Sequence, residues 1–331
     1  MSGIRRREFI TLLGCAAVAW PAAARAQRSE RMRRVGVFMR LSESDLVTRG
    51  YLAAFAQGLA PLGWSQSRNL QLVLRLGRDD TSANDAAADL VRQNPEVILS
   101  HGTETSRIIQ QHTRTIPIVF TTVTDPVGSG LVESLARPGG NITGFTNFEF
   151  SMAGKWLELL KEVAPAVKNI AIIFNPDNAA MPGQLRAIAL AAPVVGLQVT
   201  EAKVRDSTDI ERAINELAQT PNAGFLVLPE NLVIGNRDLI VSMSARHRLP
   251  AIYSDRFNVK GGGLLSYRAD TDDLYRRAAS YIDRILRGEK PSDLPVQQPI
   301  KFELAVNLKT AKAMGLTISD SFLVRADEVI E

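Results

Sequence analysis

VILSHGTETSRIIQQHTRTIPIVFTTVTD, residues 97–125, is the stretch that decides the fold. It opens on an unbroken apolar run, Val97-Ile98-Leu99. A helical stretch follows from Thr103 to Thr113, and Ile116 to Phe120 is a second apolar run. Strands that are apolar throughout, joined by amphipathic helices, build a parallel sheet covered on both faces.

The same unit repeats outward in both directions. Upstream, VGVFM (35–39) reads as a strand, Asp45 to Leu62 as a helix with Leu46, Phe55 and Leu59 facing inward, and LQLVLRL (70–76) as a strand. Ala83 to Gln93 reads as a helix that ends before Asn94-Pro95, since proline disfavours helix in the residue before it. Downstream, Val127 to Ala136 is expected to be helical and to stop at RPGGN (137–141). After a short connection near Thr143–Phe148 the pattern restarts. Ser151–Val163 is a helix and NIAIIF (169–174) a strand. Further strands are LQVTEA (197–202), GFLVL (224–228), LPAIY (249–253) and GGLLSY (262–267), with helices at 183–192 and 208–219 and a mostly helical stretch at 231–247.

Two such series predict an α/β chain of two similar lobes with parallel sheets. Asp272 to Leu286 then has Leu274, Ala278, Ile282 and Ile285 spaced for one helix face. FELAVNL (302–308) reads as a late strand, followed by a short helix to Met314. These tail elements imply several crossings between lobes. The expected division is residues 33–145 with about 269–300 in lobe 1, and 146–268 with about 301–331 in lobe 2.

The front end has another character. Arg5, Arg6 and Arg7 precede the uncharged run ITLLGCAAVAW (10–20), and Ala24 and Ala26 form an A-x-A pattern before Gln27. These are the three parts of a secretory signal over residues 1–26. The apolar run is shorter than the roughly 18–20 residues that span a bilayer. RREFI (6–10) resembles a twin-arginine export signal. Cys15 follows a weak lipoprotein-like box, but the apolar run continues past it. The segment holds four arginines, one glutamate and the chain's only cysteine. Without it about 305 residues remain, with 35 basic and 34 acidic side chains. The formal charge of +4 therefore belongs mostly to the signal and does not argue for nucleic acid or membrane as a partner. The remaining chain can form no disulfide and is long enough to bury large cores without one.

In open parallel sheets ligands bind beyond the carboxyl ends of the strands. That rule selects Arg40 and Ser42 after the first strand, and His101, Thr103 and Glu104 after the third. Thr121, Thr122, Thr124 and Asp125 follow the fourth. In the second series it selects Asn175, Pro176, Asp177, Asn178, Glu230, Tyr253, Ser254, Asp255, Tyr267 and Arg268. Hydroxyls, amides and carboxylates dominate, as suits hydrogen bonding to a small solute. Helix starts at Thr103 and Asn178 offer backbone N–H groups to a carboxylate. Plainer roles are open for several of them. Thr103, Asp125 and Asn178 also suit helix capping, Asn175-Pro176-Asp177 a turn, and Tyr253 sheet packing.

Other chemistry is not evident. His101, His112 and His247 have no metal-site spacing, so neither metal nor cofactor is expected. There is no G-x-S-x-G elbow, P-loop or dinucleotide fingerprint. Gly261–Gly263 precede a strand, whereas a phosphate loop follows one. SARHR (244–248) reads as a solvated helix end, and a DNA-binding headpiece would need the place of the signal.

Several longer stretches carry a family resemblance. They include RRVGVFM (33–39), IPIVFTTVTDPVGSGLVESLARPGGNITGFTNFE (116–149), IIFNPDN (172–178), ARHRLPAIY (245–253) and the segment from Leu274 to Leu316. With them the chain resembles ABC-transporter substrate-binding proteins of the type I periplasmic-binding fold, the family that includes tryptophan- and tyrosine-binding members. The resemblance implies two Rossmann-like lobes, a ligand cleft between them and no enzymatic activity. It also implies a monomer in the periplasm that delivers a small solute, such as an aromatic amino acid or related acid, to an ABC permease in the cytoplasmic membrane. It places Thr103, Thr122, Asp125 and, near the first crossing, Asn147 on one wall, and Asn175, Asn178, Glu230, Tyr253 and Asp255 on the other. Where relatives often carry a small glycine-rich start after the third strand, this chain has HGTETS (101–106). An exported sensory binder and an exported hydrolase or lyase are the alternative readings.

Overall fold

The computed structural model describes residues 32–41, 46–66, 68–77, 79–178 and 180–331. The exported segment expected at 1–26, and Ser42, lie outside them.

A first sheet has five strands, all parallel, in the order β2-β1-β3-β4-β5. They are β1 (Arg33–Met39), β2 (Leu70–Leu76), β3 (Val97–His101), β4 (Ile118–Val123) and β5 (Ile142–Thr146). Helices α1 (Leu46–Leu59), α2 (Asp80–Arg92) and α3 (Thr103–His112) alternate with them. Side chains alternate across a strand, so an apolar run packs both ways. Val35, Val37 and Met39 join Phe55 and Leu59 on one face, while Phe38 joins Ala87, Leu90 and Ile109 on the other.

The second sheet has seven strands in the order β12-β11-β10-β9-β8-β6-β7. They are β6 (Asn169–Phe174), β7 (Gln198–Lys203), β8 (Ala223–Val227), β9 (Ala251–Tyr253), β10 (Leu265–Ala269), β11 (Phe302–Asn307) and β12 (Glu328–Ile330). Only the β10–β11 pair is antiparallel. The helices of this part are α4 (Ser151–Val163), α5 (Met181–Ala191), α6 (Ser207–Leu217), α7 (Asn231–Gly235), α8 (Arg237–His247) and α9 (Arg256–Lys260). α4 and α5 cover one face, and α6 and α8 the other.

Helix α10 (Thr271–Leu286) follows β10 of the second sheet but packs on the first. Leu274, Ala278, Ile282 and Ile285 are all buried there, as their spacing predicts. Gly58 of α1 lies against the backbone of Arg276, so close that a Cβ would not fit without movement. The chain then returns through residues 295–301 to β11, α11 (Leu308–Ala313), α12 (Asp320–Leu323) and β12. It thus passes between the sheets at 147–150, at Asp270 and at 296–301. These passages are tied together. Thr146 N–H donates to the Gln297 carbonyl at 2.9 Å, and Asp270 N–H to the Lys301 carbonyl at 2.9 Å.

Two local expectations are corrected, and the mostly helical reading of 231–247 resolves into two helices. Val127–Ala136 is a set of turns, not a helix. The Gly128 N–H bonds the Asp125 side chain at 2.8 Å, and Pro126's carbonyl accepts from both Leu131 and Val132. These local bonds compete with the helical ladder. The connection near Thr143–Phe148 contains strand β5, and the stretch from Asn231 to His247 is interrupted at Asn236.

Candidate functional site

The carboxyl ends of both sheets open onto one cleft of about 1030 Å³ including its mouth. The first-sheet side is shaped by an irregularity in β4. The β4–β5 register shifts between Phe120 and Val123, and Thr122 holds a left-handed backbone with φ 57°. Such a conformation is costly for a β-branched residue, and a bulge of this kind re-aims a side chain. Gly144 permits it, because a Cβ there would run into the Phe120 carbonyl.

Thr122 Oγ1 lies 3.0 Å from His101 Nδ1, which is also 2.8 Å from Tyr275 Oη. The His101 ring stacks with Tyr51 at 5.5 Å between centroids, and Tyr51 stacks with Tyr275 at 5.0 Å. Burial pushes the His101 pKa down to about 4, so the imidazole is neutral at pH 7. Beside it α3 begins. Its N-cap is Gly102, which makes no side-chain cap bond, and Thr103, Glu104 and Thr105 line the cleft. The first N–H groups of a helix lack intrahelical partners and favour an anion.

The second-sheet side carries charge. Glu230 is 7% exposed and its Oε1 accepts from the Asn175 N–H at 2.6 Å. Burial pushes its pKa up to about 7, against the opposing pull of the Asn175 N–H and the Asn178 side chain. Arg268, at the end of β10, is 5% exposed. Its Nε donates to Glu303 Oε2 at 2.8 Å and its Nη1 to Thr271 Oγ1 at 3.0 Å. Its Nη2 sits 2.7 Å from the same Glu303 oxygen but without hydrogen-bond geometry. Burial alone lowers the Arg268 pKa, yet Tyr51, Asp255 and Glu303 outweigh it and keep the guanidinium charged. An apolar panel completes the cleft. Phe148 stacks on Trp156 at 5.6 Å, and Trp156 Nε1 donates to the Tyr267 carbonyl at 2.6 Å.

Seven of the residues selected from sequence line this cleft: Thr103, Glu104, Thr122, Asn147, Asn178, Glu230 and Asp255. Asn147 accepts from Thr124 Oγ1 at 3.2 Å, and Asp255 also caps α9 through the Phe257 N–H at 2.9 Å. Four others lie off the lining. Asp125 is taken up by the Gly128 turn, with its second oxygen close to Gly183. The Asn175 side chain caps a turn at the Asp177 N–H, 2.9 Å away. Tyr253 is fully buried, edge-on to Phe225 at 6.2 Å. Tyr267 stacks on Phe302 at 5.4 Å. The strand-end rule also selected Arg40, His101, Thr124, Ser254 and Arg268, which line the cleft, and Thr121, Pro176 and Asp177, which do not. Tyr51, Phe148, Met152 and Trp156 line it too and were not selected. They sit on helices or in a connection, where an apolar residue reads as core. Among the described residues no cluster of three or more His, Cys, Asp or Glu side chains suits a metal ion.

Known proteins resemble this chain over most of its length. A family model described as ABC transporter substrate binding protein matches residues 38–330. A tyrosine-binding protein of Clostridioides difficile is 25% identical over 291 residues, which cover 87% of this chain and 82% of the relative. A crystal structure of a conserved domain protein from Vibrio cholerae has 28% identity and a TM-score of 0.83, covering 90% of this chain and 100% of that one. An ABC domain from Streptococcus pneumonia in complex with L-Trp has 25% identity and a TM-score of 0.83, with the same coverage.

Proposed function

The chain belongs to the family of ABC transporter substrate binding proteins, and we propose that it captures an aromatic amino acid or a related aromatic acid for an ABC importer. The family's members are solute-binding proteins, not enzymes, and the two-sheet architecture is the type I periplasmic-binding fold.

One observation carries the ligand reading: the cleft joins opposite charges to aromatic walls. The α3 start and Arg268 form a receptor for a carboxylate, while Glu230 and Asp255 form one for an ammonium. Tyr51, Phe148 and Trp156 supply flat apolar surface for a ring. Thr103, Glu104, Thr122, Asn147 and Asn178 hydrogen-bond the ligand's polar edge in this reading. That relatives of similar length are a tyrosine-binding protein and an L-Trp complex supports it.

The transport cycle follows from the three crossings. Residues 33–145 with about 269–300 move against 146–268 with about 301–331, and the ligand favours the closed state by touching both lobes. The protein acts as a monomer in the periplasm and hands its ligand to an ABC permease, with no nucleic-acid partner.

The test is a thermal-shift and calorimetric screen of residues 27–331 against the twenty amino acids and simple aromatic acids. A ligand at one hundred times its Kd stabilises the folded state by about 2.7 kcal/mol. L-Trp, L-Tyr or L-Phe is expected to raise the melting temperature most. A response confined to sugars or aliphatic amino acids rules out the aromatic reading.

A further inference from the structure

The hydrogen positions around His101 can be counted, because each partner has one commitment that decides the next. The Thr122 hydroxyl lies 2.6 Å from the Thr121 carbonyl, an oxygen that only accepts. Its single hydrogen is therefore spent there. Thr122 Oγ1 must then accept from His101 Nδ1, 3.0 Å away, since otherwise two lone pairs would face each other. So Nδ1 carries the ring proton. Tyr275 Oη, 2.8 Å from Nδ1, is a second acceptor for the same N–H.

A neutral imidazole with its proton on Nδ1 has a bare lone pair on Nε2. Among the described residues Nε2 has no hydrogen-bond partner, and His101 lines the cleft. We propose that His101 selects the ligand: its Nε2 is a fixed hydrogen-bond acceptor that requires a neutral N–H or O–H donor on the ligand's ring. The ring assignment follows from the surroundings. His101 stacks with Tyr51, which also lines the cleft, so a planar group lies naturally beside the pair. The ligand's ammonium belongs with Glu230 and Asp255, where charge meets charge, which leaves the uncharged acceptor for an uncharged donor. An indole N–H or a phenol O–H meets the requirement, and a phenyl ring does not.

This inference rests on the aromatic amino acid reading, and two measurements separate their fates. The first is the wild-type affinity for L-Tyr against L-Phe, and for L-Trp against 1-methyl-L-Trp, by calorimetry. The donor-bearing member of a pair is expected to bind at least tenfold tighter. In His101→Phe, which keeps a flat ring, the ratio is expected to fall to within threefold. The second uses protein labelled with 15N-histidine. The chain has three histidines, and the variant assigns the His101 nitrogens in the two-bond correlation spectrum. The Nδ1–H pattern is expected in the ligand-free protein, and an Nε2–H pattern overturns the inference whatever binds. Equal affinities within both pairs, or a preference that His101→Phe leaves unchanged, also overturn it while the proposed function stands. If none of the four compounds binds, the proposed function and this inference fall together. The wild-type pairs need no variant, so a misfolded His101→Phe does not block the test.

Discussion

The two walls of the cleft solve the same problem in opposite ways. Around His101 the first-sheet wall is made of neutral groups and the Thr122 hydroxyl decides where the ring proton sits, while Arg40 and Glu104 of the same wall are paired with Asp80 and Arg107. The second-sheet wall buries two ionisable groups, Glu230 and Arg268. Glu230 responds by a pKa near 7, and Arg268 by leaning on Glu303. A satisfied wall is rigid and specific before the ligand arrives. A partly unsatisfied wall costs stability in the empty protein, and ligand groups offset that cost on binding.

Breaking the charged wall should give the largest effects. Arg268→Met leaves the Glu303 carboxylate with Arg256 alone, 3.3 Å away. Loss of one member of a buried pair costs 3–5 kcal/mol, and Glu303 keeps 24% of its side chain exposed, so about 3 kcal/mol is expected. Urea unfolding of Arg268→Met beside Arg268→Met/Glu303→Leu measures it, and the double variant should recover most of the loss. A single variant within 1 kcal/mol of wild type would mean the pair is idle.

Glu230→Gln should act with the opposite sign. The folded state raises this carboxyl from about 4.5 to about 7, which favours the protonated form. Below pH 4.5 there is no cost. The cost grows as pH rises from 4.5 to 7 and is constant above, about 3 kcal/mol in all. Glutamine removes it, so the empty variant should be more stable than wild type at pH 8 and equal to it at pH 4. Its affinity for a zwitterionic ligand should fall tenfold or more. Equal stability at both pH values would show that Glu230 is better solvated than its burial implies.

The contrast between walls also explains what the sequence disclosed. Strands β3 and β6 were legible because both faces are buried and nothing interrupts the apolar run, and the core half of β1 for the same reason. β5 was not, since Thr143, Gly144 and Thr146 dilute the run, and Gly144 is there for the backbone of Phe120. The turns at 126–132 were misread because Leu131, Val132 and Leu135 are spaced like a helix face, while the Asp125–Gly128 bond and Gly130, with φ 72°, had the stronger say. At the site, strand ends pointed to His101, Thr122, Glu230 and Arg268. Tyr253 ends β9 and faces the core, whereas Ser254 and Asp255 lie past the strand, where alternation no longer orders them, and reach the cleft. Parity at an irregular strand end is set by the fold and not by any local pattern. Tyr51 and Trp156 were hidden for the converse reason, being helix residues whose apolar character fits a core equally well.

Lowering the pH probes the neutral wall. The folded state holds His101 near pKa 4, below its ordinary 6.5. Above pH 6.5 folded and unfolded chains are both neutral there, and stability is full. As pH falls from 6.5 to 4 the unfolded chain takes the proton first, and up to about 3 kcal/mol is lost. Between pH 4.5 and 6.5 this slope opposes that of Glu230. Melting temperatures across that window should therefore be nearly flat for wild type, fall with acid in Glu230→Gln, and rise with acid in His101→Phe. Parallel curves for the three proteins would refute the assignment of either group.

The smallest effect sharpens the contrast most. Thr122→Val keeps the shape of the side chain and removes only its oxygen. Two hydrogen bonds go, but the Thr121 carbonyl keeps its bond from the Gly102 N–H at 2.9 Å, so it is not orphaned. The stability loss should be about 1 kcal/mol. The valine still has to hold the left-handed backbone at φ 57°, as threonine does, so strain does not change between them. What changes is the reason for the proton on His101 Nδ1. Without Thr122 Oγ1 as an acceptor, Tyr275 can donate to Nδ1, and the ring proton moves to Nε2. The 15N spectrum of Thr122→Val should therefore gain the Nε2–H pattern, and its preference for ring donors should weaken while the stack with Tyr51 persists. An unchanged tautomer in this variant would place the control with Tyr275 alone.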